Sequence, residues 1–121
     1  MGKSFRDLDV WQRAMELTLA VYELSAAFPE YEKYGLANQL RRASVSIPSN
    51  IAEGTGRATK GEYLQFLGHA RGSAYEVETQ LELADRLAYC QQQPLGTAKA
   101  LCIKVGKMLR AMIRSLQAPS T

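Results

Sequence analysis

The segment Arg41–Arg57 contains the residues that most restrict how this chain folds, and it reads RRASVSIPSNIAEGTGR. At the period of an α-helix, the residues that fall on one narrow face of this segment, extended back to Leu40, are small or apolar. They are Leu40, Ala43, Ile47, Ile51 and Gly54. A face of this kind packs against other helices, so the segment predicts a core helix over about residues 36–54.

A second face of the same helix is polar, with its members mostly three or four residues apart. It consists of Gln39, Arg42, Ser46, Asn50, Glu53 and Arg57. Three interpretations are open for it: an ordinary solvated face, a polar stripe buried at a helix or subunit interface, and a ligand or catalytic site.

Pro48 lies inside this helical pattern, where a proline removes one backbone hydrogen bond and costs about 3 kcal/mol. The hydroxyls of Ser44, Ser46 and Ser49 can bond the carbonyls that it frees. At the end of the helix, Gly54 and Gly56 predict a left-handed terminus.

The first helix is predicted over about residues 8–28, with Ser4 or Asp7 as its cap and Pro29 as its stop. Its predicted core stripe is Leu8, Trp11, Met15, Thr18, Val21 or Tyr22, Leu24 and Phe28.

A long third helix is predicted over about residues 60–89, beginning at a capping box formed by Thr59 and Glu62. Its apolar positions alternate in steps of four and three, which is typical of a helical bundle. They are Tyr63, Leu67, Ala70, Ala74, Val77, Leu81, Ala84 and Ala88. The small residues Gly68, Gly72, Ser73 and Ala74 predict a close approach to the second helix. Glu76 is predicted to pair with Arg42 or Arg57.

The fourth helix is predicted over about residues 95–117, with Pro94 at its first position. It is amphipathic, with Ala98, Leu101, Val105, Met108, Met112 and Leu116 as its predicted core face. The other side carries Lys99, Lys107, Arg110 and Arg114, with Lys104 further round. Together the four helices predict an all-α, up-and-down antiparallel four-helix bundle that forms one domain over residues 1–121.

The charge of the chain is unevenly distributed. Its 121 residues carry a net charge of +3, but the segment from Arg86 to the end contains six basic and no acidic residues. The basic side of the fourth helix is therefore interpreted as a solvated face, a contact surface for phosphate backbones, or a surface that meets an acidic protein. Binding to a membrane surface is less favoured, because the apolar face is needed inside the bundle.

Several classes of function are not supported by the residue types. Cys90 and Cys102 are isolated, His69 is the only histidine, and Glu76, Glu78 and Glu82 do not share one helix face. We therefore expect no metal site, no cofactor and no catalytic residues. No stretch approaches the roughly 20 apolar residues of a membrane span, so a cytoplasmic protein without membrane contact is expected.

An ordered set of motifs resembles the four-helix bundle proteins related to those encoded in 23S ribosomal RNA intervening sequences. The matching residues are Asp7-Leu8, Val10-Trp11, Phe28-Pro29, Tyr34-Gly35-Leu36, Gln39 to Ala43, Ser46 to Gly54, Phe66-Leu67, Ala70, Gly72-Ser73, Glu76 and Gln80. The likeness covers about residues 5–90.

The resemblance implies a ring-shaped homopentamer without enzymatic activity. A related branch is similar to the accessory proteins of diversity-generating retroelements, which associate with a reverse transcriptase and with nucleic acid. Five residues match the family pattern without a catalytic role, which implies that they order contacts within or between subunits. They are Arg42, Ser46, Asn50, Glu53 and Glu76.

The sequence thus favours a non-enzymatic oligomeric module that binds RNA or DNA through Lys99, Lys104, Lys107, Arg110 and Arg114. A protein-interaction scaffold with no nucleic-acid role is the alternative. An enzyme is the weakest hypothesis, because Asn50, Glu53 and Arg57 form no arrangement of base, nucleophile and orienting group.

Overall fold

The computed structural model describes residues 4–119, so residues 1–3 and 120–121 of the predicted domain lie outside it. It contains four helices: α1 (Asp9–Ser25), α2 (Leu36–Thr55), α3 (Lys60–Arg86) and α4 (Gln92–Gln117). Short 3-10 turns lie at Phe5–Asp7 and Glu30–Glu32, and the described part of the chain has no strand. Each helix packs on the next one, and α1 also packs on α4, which closes the bundle. The predicted all-α four-helix bundle is confirmed.

The core takes residues from all four helices. Its largest fully buried side chains are Leu17, Val21, Leu40, Ile47, Ile51, Leu67, Val77, Leu81, Leu95, Cys102, Val105 and Leu109. The predicted faces of α2 and α3 are close to those observed. On α1, however, Val10, Ala14 and Leu17 are buried, whereas Trp11 and Met15 lie at the edge. On α4, Cys102 and Leu109 are likewise buried in place of Leu101 and Met108. Both helices have apolar faces wider than one stripe, so spacing does not fix their centres.

Three helix ends differ from their predicted positions by three residues: the end of α1, the end of α3 and the start of α4. α1 ends at Ser25, and the amide of Phe28 bonds the Ser25 carbonyl at 3.1 Å in a tight turn before Pro29. α4 begins at Gln92, so Pro94 occupies its third position. That position is still in the first turn, where backbone amides have no partner within the helix.

α3 ends at Arg86, before the predicted Tyr89, because the chain turns through a left-handed residue. Ala88 has φ 57°, and the amide of Tyr89 bonds the Ala84 carbonyl at 3.0 Å. The amide of Ala88 bonds the Asp85 carbonyl at 3.0 Å. This is the Schellman pattern of a helix terminus, formed here by alanine in place of the usual glycine.

The glycines at the end of α2 have a different role from the predicted one. No described glycine has a positive φ, and Gly56 has φ −89°. A Cβ atom at Gly54 would lie 2.8 Å from Cδ1 of Tyr63 and 3.1 Å from Cβ of Phe66. Gly54 therefore allows α3 to pass close to the end of α2, and the predicted left-handed terminus is wrong.

Pro48 lies inside α2 without ending it, and the carbonyl that it frees is bonded from α1. That carbonyl belongs to Ser44, four residues before the proline, and the Thr18 hydroxyl lies 2.9 Å from it. The hydroxyl of Ser44 instead donates to the Arg41 carbonyl at 2.8 Å. The predicted compensation by serines of the same helix is therefore wrong here. Thr18 makes the proline part of the α1–α2 contact.

The contact between α2 and α3 is extensive, and both helices bury small residues, Ala43 and Ser44 on α2 and Ala70, Ser73 and Ala74 on α3. Gly68 and Gly72 do not contribute to it, because a Cβ at either position would meet nothing within 4 Å. The prediction that these two glycines thin the helix for α2 is wrong, and both are exposed.

The connection between α1 and α2 is tied to the far end of α3. Glu32 accepts the Leu36 amide at 2.9 Å, which caps α2, and it accepts the Tyr89 hydroxyl at 2.7 Å. These bonds, with that from Leu36 the larger cause, hold the pKa of Glu32 below its ordinary value. The same carboxylate, through its bond to the Tyr89 hydroxyl, raises the pKa of Tyr89.

Candidate functional site

The basic side of α4 is divided into a compensated end and an uncompensated end. Nζ of Lys99 lies 2.6 Å from Oδ2 of Asp85 and 3.2 Å from Oε1 of Glu82, both on α3. These bonds lower the pKa of both carboxyls and raise the pKa of Lys99, chiefly through Asp85. The charge of Lys99 is thus used within the bundle, where it ties α4 to α3.

The other four predicted cations lie further along α4. Lys104, Lys107 and Arg114 are exposed, and Arg110 is half-buried. Across residues 4–119, none of the four has a carboxylate oxygen within 4.0 Å. Helical spacing places Lys107, Arg110 and Arg114 on one side and Lys104 further round. We call these four residues the α4 cationic surface.

A fifth cation, which the sequence did not single out, joins this surface from α3. Arg71 and Arg110 line one cleft of about 180 Å³ between α3 and α4, together with Tyr75. The guanidinium carbon of Arg71 is 5.8 Å from the Tyr75 ring centroid. Hydrogen bonding from Arg71, and secondly from Arg110, lowers the pKa of Tyr75. We call Arg71, Tyr75 and Arg110 the arginine cleft.

The thiol of Cys102 also lines this cleft, where it is buried. Sγ of Cys102 donates to the Ala74 carbonyl at 3.3 Å, and burial raises the pKa of the thiol to about 12. A thiol so far from ionisation is a poor nucleophile at neutral pH. Burial also raises the pKa of Cys90.

Part of the predicted polar stripe lines a groove of about 320 Å³ between α2 and α3. Gln39, Arg42 and Ser46 of α2 face Glu76 and Gln80 of α3 there. We call these five residues the polar groove. No ion pair joins Glu76 to Arg42 or to Arg57 in the part of the chain that the structure describes, so the predicted pairing is not formed. The sequence pattern did not single out Gln80 as a site residue.

Gln80 is unusual among the residues of the polar groove. The residue is only 9% exposed, and its Oε1 has no hydrogen-bond partner among residues 4–119. A buried polar atom without a partner costs about 1–3 kcal/mol, which most native structures avoid. Within the described residues, the groove therefore leaves one buried acceptor unsatisfied.

The remaining members of the stripe are held along α2 itself, outside the groove. Asn50 donates to the Ser46 carbonyl at 2.8 Å, and Glu53 lies 3.7 Å from Arg57. The guanidinium of Arg57 also covers the ring of Phe66 at 4.5 Å. These local contacts bring no base next to a nucleophile.

None of the helices within residues 4–119 is both long and apolar enough to cross a membrane.

Comparison with known proteins identifies the family of this chain. It resembles a crystal structure at 1.70 Å of a Bacteroides thetaiotaomicron protein of unknown function described as a member of the S23 ribosomal protein family. The TM-score is 0.78 at 22% identity, and the match covers 87% of this chain and 98% of the other, so it supports the fold alone. Comparison with curated proteins finds no match. The model of the family described as 23S rRNA-intervening sequence protein matches residues 6–111. This chain therefore belongs to the family of 23S rRNA-intervening sequence proteins.

Proposed function

We propose that this chain is a non-enzymatic, cytoplasmic protein that assembles with copies of itself and binds the phosphate backbone of RNA or DNA through the α4 cationic surface. One observation carries the proposal. Glu82 and Asp85 of α3 are paired with Lys99, whereas Lys107, Arg110 and Arg114 have no carboxylate oxygen within 4.0 Å among residues 4–119. Side chains of one sign repel each other, and phosphate groups relieve that repulsion.

Assembly makes such a surface effective. One subunit offers about four phosphate contacts, which gives weak binding that salt weakens further. Several linked copies gain avidity on the order of 10²-fold or more without any new kind of contact. We propose a homopentamer, as the family resemblance implies, with the polar groove at the contact between copies. The unpartnered Oε1 of Gln80 supports that location, because a second chain can supply the missing donor.

A protein-interaction scaffold is the second candidate, and Ile103 favours it. This apolar side chain is 46% exposed beside the arginine cleft, where a surface devoted to phosphates gains little from it. An acidic protein partner, a reverse transcriptase among the possible kinds, would bury Ile103 and pair with the cations together.

Charge reversal on α4 tests the first proposal. The double variant Lys107→Glu/Arg110→Glu is compared with Lys33→Glu/Lys60→Glu, which makes the same charge change at two exposed positions outside α4. Fluorescence anisotropy with a structured RNA and with duplex DNA measures affinity, and circular dichroism verifies folding. We expect the α4 variant to lose binding and the control to keep most of it. Equal losses would refute a localised surface, and retained binding in the α4 variant would place it elsewhere.

A further inference from the structure

The arginine cleft is lined by two like charges that come from different helices. Arg71 comes from α3 and Arg110 from α4, and both stabilise the ionised form of the same phenol, that of Tyr75. Neither guanidinium has a carboxylate oxygen within 4.0 Å among residues 4–119. Like charges held close together are unfavourable unless an anion lies between them.

One acidic residue, Glu78, also lines the cleft. It is exposed and forms no ion pair with either arginine within the described residues. The two guanidinium groups therefore have donors left for a ligand, while Glu78 lowers the local positive potential.

The chemistry of the cleft matches a phosphate group. Guanidinium groups bind phosphate oxygens in bidentate fashion, and a phenol hydroxyl donates a further hydrogen bond to the same group. The cleft volume of about 180 Å³ is of the right order for one such group. Tyr75 is itself exposed, at 47%.

We propose that the arginine cleft receives one phosphodiester group of the bound nucleic acid, held by Arg71, Arg110 and the Tyr75 hydroxyl. The inference rests on the proposed function and deepens it, because it extends the contact surface from α4 across the seam onto α3. Lys107 and Arg114 then contact neighbouring phosphates along the same strand.

The test compares Arg71→Gln with Arg86→Gln. Both variants remove one positive charge from α3, but Arg86 lies outside the cleft and pairs with Glu82 at 3.2 Å. Anisotropy of an RNA hairpin is measured at several salt concentrations. We expect Arg71→Gln to weaken binding about tenfold and to reduce the salt slope by about one. Arg86→Gln should change affinity less than about twofold, since one distant charge contributes little.

Two further variants test the other polar side chains of the cleft without removing a positive charge. Tyr75→Phe should weaken binding about threefold through the lost hydroxyl, and Glu78→Gln should strengthen it. Thermal unfolding of each variant distinguishes loss of the cleft from loss of the fold.

The outcomes distinguish phosphate binding in the arginine cleft from the proposed binding of nucleic acid by the α4 cationic surface. If the wild type binds RNA but Arg71→Gln behaves like Arg86→Gln, the cleft is overturned and the α4 surface stands. If the wild type binds neither RNA nor DNA, the proposed function is overturned. In that case, NMR of the arginine side chains in the presence of inorganic phosphate tests whether the cleft binds free phosphate. Shifts confined to Arg71 and Arg110 would show a site for free phosphate in place of a backbone contact.

Discussion

At the residue scale, Thr18 has the most specific structural role. Its hydroxyl lies 2.9 Å from the Ser44 carbonyl, which Pro48 deprives of its normal partner, and 3.0 Å from the Ala14 carbonyl of its own helix. A hydroxyl has only one proton to donate. We infer that the proton serves Ser44, because the amide of Thr18 already bonds Ala14 within α1.

We therefore predict that Thr18→Val, which keeps the shape and removes the donor, lowers the free energy of unfolding by about 1–2 kcal/mol. In a Pro48→Ala background the amide at position 48 bonds Ser44, so the same change should cost less than about 0.5 kcal/mol. Urea denaturation of the four proteins gives the coupling energy directly. Equal costs in both backgrounds would mean that the two residues act independently.

Ala88 carries the strained backbone at the end of α3, with φ 57°. A non-glycine residue in this region costs about 1–2 kcal/mol, part of which glycine recovers. We predict that Ala88→Gly raises the stability by roughly 1 kcal/mol. As a control, Ala100→Gly in the exposed interior of α4 should lower stability by about 1 kcal/mol. A drop in melting temperature for Ala88→Gly would contradict this account of the helix end.

At the scale of elements, some helix boundaries of this bundle follow from local sequence signals and others do not. The starts and types of α2 and α3 follow from their spacing and from Thr59, whose hydroxyl accepts the Glu62 amide at 3.1 Å. The end of α3 could not be predicted, because Ala88 adopts a conformation that its sequence does not favour. The next residue, Tyr89, packs on Phe28 and bonds Glu32, and neither contact is contained in the local pattern.

The candidate site likewise has a part that the sequence predicts and a part that it does not. The α4 cations follow from helical spacing, but the pairing of Lys99 with Asp85 depends on how α3 and α4 are aligned, which their separate patterns do not contain. Arg71 was missed for the same reason. The sequence does show that Arg71 and Tyr75 are four residues apart and so share a face of α3. Placing that face next to the basic side of α4 would have identified Arg71.

The hydrogen bonds of Glu32 make the stability of the fold depend on pH. Because the folded pKa of Glu32 lies below its ordinary value of 4.5, its bonds stabilise the fold fully above about pH 4.5. That stability is lost as the pH falls through the lowered pKa. Paired Glu82 and Asp85 act in the same direction.

We predict that Glu32→Gln is less stable than the wild type at neutral pH and loses less stability on acidification. Glu30→Gln is the control, since the Glu30 side chain is exposed and makes no hydrogen bond among the described residues. Melting temperatures between about pH 3 and pH 7 measure the effect. Parallel curves for Glu32→Gln and the wild type would remove Glu32 as a source of acid sensitivity.

At the scale of the whole molecule, Gln80 distinguishes an assembled protein from a single bundle. Replacing it with leucine removes a buried atom that has no partner, so an isolated bundle should become more stable. If a second copy supplies the donor, the same change should weaken assembly.

We predict the second result: Gln80→Leu shifts the mass in solution from the oligomer towards 13.4 kDa, as measured by light scattering across a range of concentrations. Gln65→Leu, an exposed position on the same helix, should leave the mass unchanged. A Gln80→Leu protein of unchanged mass and raised melting temperature would place the contact between copies elsewhere.

The most direct measurement for the central claim is the salt dependence of binding by the wild-type protein. Anisotropy of a ribosomal RNA fragment and of duplex DNA is followed from about 50 to about 200 mM salt. Contact with several phosphates predicts that the affinity for both falls steeply, with the logarithmic slope reduced in Lys107→Glu/Arg110→Glu. No binding at about 50 mM salt, or an affinity that salt leaves unchanged, would contradict a phosphate-binding surface on α4.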